Sequence, residues 1–245
     1  MPNPMIEVIP VIDLQGGAVV RACQGRREAY APIKTPLAQT STPIDVTAGL
    51  LRLYPFQTLY IADLDRIELQ GSNERCIDQL ATAFPNLVFW VDAGVRNTGE
   101  ARSWLARHGQ ANLVLGSETL ESSAVLKDLA SSGRTILSLD FRCGGFLGPG
   151  EVLDVPHLWP ARVIVMTLTR VGSNSGPDIE RLAEIKLRAP DSKIYAAGGL
   201  RGASDFLLLR QAGIRGVLAA SALHGGQLTG ADLAAAMPRH AAETK

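Results

Sequence analysis

The sequence predicts an α/β fold, a (β/α)₈ TIM barrel with an internal half-barrel duplication, on three observations. The chain has 245 residues, close to the ~250 typical of one eight-stranded parallel barrel. Eight short apolar, β-branched runs alternate with amphipathic stretches, the pattern of a parallel sheet covered by helices. The residues that close these runs in the first half recur, in the same order, in the second.

The strands are expected near Glu7–Asp13, Thr58–Asp63, Leu87–Asp92, Asn112–Leu115, Thr135–Asp140, Arg162–Thr167, Lys193–Ala197 and Gly216–Ala219. Helical stretches lie between them, for example Ser122–Ser131 and Asp178–Arg188, with a short one at Val155–Trp159. Hydrophobic residues make up 46% and aromatics 5%, so the core is filled by Leu, Ile, Val and Ala, as in parallel sheets buried on both faces. The segment from Gln24 to Pro43 is long for a bare connector and is expected to cover a substrate. One domain is expected, with half-barrels of about 1–125 and 126–245.

Repetition is the strongest signal. Strand one ends Val11-Ile12-Asp13 before Gly16-Gly17, and strand five ends Ser138-Leu139-Asp140 before Gly144-Gly145. Strand three ends Asp92-Ala93-Gly94-Val95-Arg96, and strand seven Ala197-Gly198-Gly199-Leu200-Arg201. Strand four runs into Gly116-Ser117, and strand eight into Ala220-Ser221.

Several classes are disfavoured. Lys plus Arg and Asp plus Glu each total 24, and the arginines are not interleaved with aromatics, so a nucleic-acid partner is not expected. Cys23, Cys76 and Cys143 show no Cys-x-x-Cys spacing and suit a reducing compartment. The start lacks a signal-peptide pattern and no apolar run nears the ~20 residues of a membrane span. A cytoplasmic protein without a membrane partner is therefore expected. His108, His157, His224 and His240 have no ligand spacing, and no Lys ends a strand. Neither a metal site nor Schiff-base chemistry is expected. The sequence leaves the oligomeric state open.

In such barrels the site lies at the C-terminal ends of the strands. Asp13 and Asp140 end strands one and five, so they face each other across the mouth. One carboxylate can take a proton from a substrate while the other supplies one, provided their environments separate their pKa values. The turns at Gly94 and Arg96 and at Gly198 and Gly199, with Gly116-Ser117 and Ala220-Ser221, suit phosphate, because glycine lets backbone N–H groups approach an anion. Tight turns needing positive φ are the alternative explanation of the glycines. The second-half set is the better candidate, since loops after strands seven and eight commonly hold phosphate. In the first half Asp92 stands where the second half has Ala197. At an effective dielectric near 20, unit charges ~4 Å apart repel by about 4 kcal/mol. Asp92 therefore turns away, pairs with Arg96, or leaves this half without phosphate. Thr167 and Thr169 offer hydroxyls, and Asp63 and Asp65 further carboxylates.

These residues resemble a known family. The stretches Ile9-Pro-Val-Ile-Asp13-Leu, Val20-Arg21, Asp63-Leu-Asp65, Gly94-Val-Arg96, Ser138-Leu-Asp140, Ala196-Ala-Gly-Gly199 and Leu218-Ala-Ala-Ser221 are similar to the HisA/HisF superfamily. Its members are the phosphoribosyl-formimino-AICAR-phosphate isomerase of histidine biosynthesis and the cyclase subunit of imidazole-glycerol-phosphate synthase. The resemblance implies a cofactor-independent Amadori rearrangement of an aminoaldose carrying two phosphates. Asp13 is then the general base and Asp140 the general acid, with Thr167 assisting. It further implies substrate contacts from Arg21, Asp63, Thr169, Gly172 and Ser173. Departures from the pattern are Val171-Gly172-Ser173 in place of Asp-Gly-Thr, Asp92-Ala93-Gly94 in place of three glycines, and a cyclase-like Leu218-Ala-Ala-Ser221 beside an isomerase-like Arg21. The chain thus resembles a divergent HisA-related branch found near pterin-dependent one-carbon genes. Two alternatives follow: a paralogue acting on another phosphorylated metabolite, in a pterin or one-carbon pathway, and a barrel that binds a phosphorylated ligand without turning it over.

Overall fold

Strand β1 (Glu7–Gln15) sets the geometry of the barrel. Its residues alternate between faces, as in any strand. Ile9, Val11 and Asp13 turn inward, while Val8, Ile12 and Leu14 pack into the outer layer. The computed structural model describes residues 5–143 and 145–237. It continues the pattern through β2 (Thr58–Asp63), β3 (Val88–Asp92), β4 (Ala111–Gly116), β5 (Thr135–Arg142), β6 (Arg162–Thr167), β7 (Lys193–Ala197) and β8 (Gly216–Ala219). Each strand is parallel to its neighbours in chain order. β8 returns to β1, with Glu7 opposite Gly216 and Pro10 opposite Ala219. The sheet is a closed eight-stranded (β/α)₈ barrel, as the alternation predicts. Residues 1–4, Gly144 of the second glycine turn and His240 lie outside the described residues.

The barrel interior is a packed core, as small barrels require. At its floor Trp90 and Tyr195 meet edge to face with ring centres 5.0 Å apart. Tyr195 donates to Glu7 Oε2 at 3.0 Å, and the Arg162 guanidinium lies 5.4 Å from the Trp90 ring centre. Above them Ala62, Val114, Ala197 and Leu218 fill the tube up to its mouth. The outward strand residues bury themselves against helix residues such as Val46, Leu50, Leu80, Trp104, Leu182 and Phe206.

β1 and β5 run past their aspartates. β1 turns at Gly16 (φ 57°) and Gly17 (φ 80°), the left-handed pair that a two-residue hairpin demands. It returns as Ala18–Arg21, with Asp13 opposite Val20. β5 likewise pairs with Gly145–Leu147, with Asp140 opposite Leu147. The stretch Ser122–Ser131 is helical only over Ala124–Asp128, because the Ser131-Ser132-Gly133 that follows favours turns over helix. The segment around Val155–Trp159 splits into a helix at Glu151–Asp154 and a 3₁₀ turn at Pro156–Leu158. Pro156 cannot donate to the preceding turn, and the break falls there. No helix among the described residues is long and apolar enough to cross a membrane.

The long segment after β1 has structure of its own. It carries a 3₁₀ turn at Arg27–Ala29, and Ala31–Pro32 adds to the hairpin opposite Arg21 and Val20. It is fastened to the helix Pro43–Leu53, where Arg52 Nη2 donates to the Leu37 carbonyl at 3.0 Å. Gly49 of that helix lies directly under this carbonyl, and a Cβ there would overlap it. Gly49→Ala is therefore expected to cost about 1–3 kcal/mol by overpacking, read as a lower urea midpoint with unchanged slope.

Candidate active site

The strand parity that fills the barrel floor also decides which residues reach the mouth. Asp13 follows Ile9 and Val11 on the inner face of β1, Asp92 follows Trp90 on β3, and Asp140 follows Ile136 on β5. All three line one cavity of about 890 Å³, open mouth included. Asp140 is firmly held. Its Oδ1 accepts from Ser138 Oγ at 2.7 Å, and its Oδ2 from Ser117 Oγ at 3.1 Å and Glu118 N at 3.2 Å. Asp92 Oδ1 accepts from Gly94 N at 3.0 Å. Asp13 has no hydrogen-bond partner for its carboxylate among the described residues.

Burial pushes all three carboxyls up, and charged neighbours then separate them. Asp13 rises to about 6, with the Arg27 guanidinium pulling the other way. Asp140 rises to about 7, helped by the like charge of Glu118 and restrained by its three donors. Asp92 rises to about 8, helped by the charge of Asp140.

Four residues of this wall lie outside the strand-end pattern of the sequence. Arg27, from the loop after β1, reaches across the mouth. Its Nη2 lies 2.5 Å from Glu118 Oε1 and its Nη1 3.7 Å from Glu68 Oε1. Burial works against its charge, but Glu118 and Glu68 more than offset this. Tyr30 lines the cavity from the same loop. Its phenol is pushed up to about 12 by burial and then by the Asp13 charge. Tyr60, two residues before Ala62 on the inner face of β2, lines the same cavity. One signal for Glu118 was present in the repeat. The small-Ser pair is followed by Glu118 in the first half and by Ala222 in the second.

Parity also corrects several expectations. Thr167 follows Met166, which is the residue β6 turns inward. Thr167 therefore faces the helical layer, with its hydroxyl 3.5 Å from Asp178 Oδ2. Thr167 and Thr169 line a separate outer groove. Asp63 likewise follows the inward Ala62 and turns out. It accepts from Asn73 N at 2.9 Å, from Asn73 Nδ2 at 2.7 Å and from Arg66 N at 3.2 Å. It is a buried helix cap with its acceptors engaged. Ser173 donates to the Arg170 carbonyl at 2.8 Å within its own turn, and the neighbouring Gly172 and Asn174 line the cavity instead. Arg21 borders a small side cavity shared with Asp13, Ser221 and His224.

The two expected phosphate seats come out differently. Gly198, Gly199, Ala220 and Ser221 all line the main cavity, together with Gly172. Their glycines have φ of 104°, 85° and 72° at Gly198, Gly199 and Gly172. Side chains there would also collide, at Gly198 with the Thr167 carbonyl, 2.6 Å away, and at Gly172 with that of Ala22, 2.6 Å away. Turn geometry thus requires glycines that also open the wall. In the first half Gly94 packs on Ile67 at the edge of another cleft. Ser117 is fully buried, and its hydroxyl is engaged with Asp140 and, at 2.7 Å, with the Leu147 carbonyl. Gly116 lies under Asp92, whose Oδ2 would sit 2.9 Å from a Cβ there. Arg96 neither lines the cavity nor pairs with Asp92. Its backbone N–H donates to Glu100 Oε2 at 3.1 Å, and its Nη2 lies 3.5 Å from the Ile67 carbonyl. Arg201 does the same in the second half, bound to Asp205. Both arginines serve the starts of the helices that follow.

The chain has counterparts among known proteins. Residues 7–229 match the histidine biosynthesis protein family, and the chain belongs to that family. It is 30% identical over 233 residues to an uncharacterised protein of Methanocaldococcus jannaschii, covering 91% of this chain and 95% of that one. It is 30% identical over 250 residues to the 1-(5-phosphoribosyl)-5-((5-phosphoribosylamino)methylideneamino)imidazole-4-carboxamide isomerase of Erythrobacter litoralis, covering 94% and 97%. The isomerase of the same name from Trichodesmium erythraeum is 28% identical over 241 residues, covering 91% and 90%.

The buried carboxyls have a consequence for stability. Each holds its proton more tightly folded than unfolded, so folding takes up protons and stability falls as pH climbs from the ordinary 3.8 towards the raised values. Asp92→Asn keeps an acceptor for Gly94 and removes one such group. In urea unfolding from about pH 5 to about pH 8, the variant is expected to lose less stability than the wild type. At the upper end it should be ahead by about 1–3 kcal/mol.

Proposed function

We propose that this barrel is an aldose–ketose isomerase acting on a phosphorylated aminosugar-type metabolite, with Asp13 as general base and Asp140 as general acid. The observation that carries the reading is the pair itself: two carboxyls on opposite walls of one cavity, pushed to about 6 and about 7. Between those two values the lower one is mostly ionised and the higher one mostly protonated, which is the division of labour that acid–base catalysis needs. Arg27 sets the order, since its charge favours ionised Asp13 while Glu118 disfavours ionised Asp140.

In the proposed reaction Asp140 protonates the ring oxygen of the sugar, and the ring opens to an iminium at C1. Asp13 then removes the proton on C2, giving an enaminol. Protonation at C1 with loss of the hydroxyl proton leaves the aminoketose. One hydrogen has moved from C2 to C1 and no oxidant or reductant is consumed. A phosphate held by the wall of Gly172, Gly198, Gly199 and Ser221 would anchor the substrate over the pair. The relatives' printed names support isomerisation as the reaction class.

The substrate itself is proposed to differ from the one in those names. Met166 and Val171 present apolar side chains on the β6 side, and Asp92 occupies the first-half seat. These observations favour a paralogue acting on another phosphorylated metabolite over a close copy of the isomerase. A barrel that binds without turnover is distinguished by the assay.

Purified protein is to be assayed with the relatives' substrate and with other aminoaldose phosphates. Turnover is expected with at least one of them, with a bell-shaped pH dependence whose limbs fall near 6 and 7. Asp13→Asn and Asp140→Asn should each lower kcat by about 100- to 10,000-fold. Binding without turnover across that set contradicts the catalytic reading.

A further inference from the structure

The two halves of the mouth differ at two equivalent positions. Where the second half carries Ala197 and Ala222, the first carries Asp92 and Glu118, and all four line the same cavity. Both replacements exchange a methyl for a carboxylate, and both fall on one side, between β3 and β5.

That side holds acceptors without partners. Asp92 is only 6% exposed. Its Oδ1 has the Gly94 N–H, and its Oδ2 has no protein partner among the described residues. Tyr60 is 2% exposed, and no hydrogen bond holds its phenol oxygen among the described residues. It lies in the fields of Asp92, Asp140, Asp13 and Glu118. The Asp92 and Tyr60 side chains both line the cavity, where a ligand can reach them. Arg27 is the one Lys or Arg among the described residues lining the cavity, and it is already committed to Glu118 and Glu68.

The relatives' names contain two phosphoribosyl groups. A second phosphate on this side would face the Glu118 charge and would further oppose ionisation of Asp92. A metal ion fits poorly, because no group of three or more His, Cys, Asp and Glu among the described residues is arranged to hold one. A neutral hydroxyl could bond to Tyr60 and Asp92 but would do nothing to ease the ionisation of the acidic groups crowded there. An ammonium group supplies both charge and three donors.

We infer that the β3–β5 side of the mouth binds a protonated amine, so that the substrate carries a single phosphate at the β7–β8 wall and a cationic nitrogen at its other end. This rests on the phosphate seat proposed above and narrows its substrate class. Burial at present holds a proton on Asp92, and an arriving cation would displace it.

The test is calorimetric titration of the intact protein at pH 7 with three probes: glucosamine 6-phosphate, glucose 6-phosphate and fructose 1,6-bisphosphate. The first two differ only in an amine against a hydroxyl. Glucosamine 6-phosphate is expected to bind at least about tenfold tighter than glucose 6-phosphate, and the bisphosphate more weakly than glucosamine 6-phosphate. Asp92→Asn and Glu118→Gln, each checked for folding by circular dichroism, should reduce the amine preference to about threefold or less while retaining glucose 6-phosphate binding. Equal affinity for the two hexose phosphates, or a bisphosphate that binds as tightly as the aminosugar phosphate, overturns the inference and leaves the phosphate seat standing. Binding of none of the three removes the seat itself, and the inference falls with it.

Discussion

Placing several carboxylates in one buried mouth is the constraint around which the site is organised. Like charges at close range in a poorly solvated cavity repel strongly and must be paired, hydrogen-bonded or protonated. All three solutions are present. Glu118 is paired, by the Arg27 guanidinium at 2.5 Å. Asp140 is hydrogen-bonded, by Ser138, Ser117 and the Glu118 N–H. Asp92, with one backbone donor, is left to keep its proton and rises to about 8. The segment after β1 thus shapes the electrostatics as well as the cover. The turn at Arg27–Ala29 brings the cation that lowers Asp13 relative to Asp140.

The duplicated architecture explains how one site acquired two unlike ends. β1 and β5 each end in an aspartate and continue into an antiparallel hairpin. Arg96 and Arg201 each bind an acidic residue four positions on. Against this matched frame the differences stand out. Small residues stand at Ala197 and Ala222 on the β7–β8 wall, and acidic residues at Asp92 and Glu118 on the opposite wall. A change of two side chains on one half alters the charge of that end without disturbing the strands that carry it.

The fold was legible because period and repetition are properties of the chain itself. Eight β-branched runs, with their closing residues repeated in order, leave few architectures open. The aspartates at the mouth were legible for the same reason. The errors came from treating every strand end as part of the mouth. Thr167 and Asp63 end strands but share parity with outward residues, and counting in steps of two from Ile164 and Tyr60 separates them from Met166 and Ala62. Arg27 and Tyr30 were illegible in another sense. Their loop has no period, and only its three-dimensional course over the mouth, fixed by Gly49 beneath the Leu37 carbonyl and by Gln24 donating to the Val171 carbonyl at 2.8 Å, brings them to the site.

The central claim is that the mouth has one end for an anion and one that rejects it. A crystal structure of the protein soaked in inorganic phosphate tests this most directly. The account predicts a single anion against Gly199 and Ser221, with the Asp92 and Glu118 side free of phosphate. An anion bound beside Gly94 and Ser117, alone or as one of two, would contradict it.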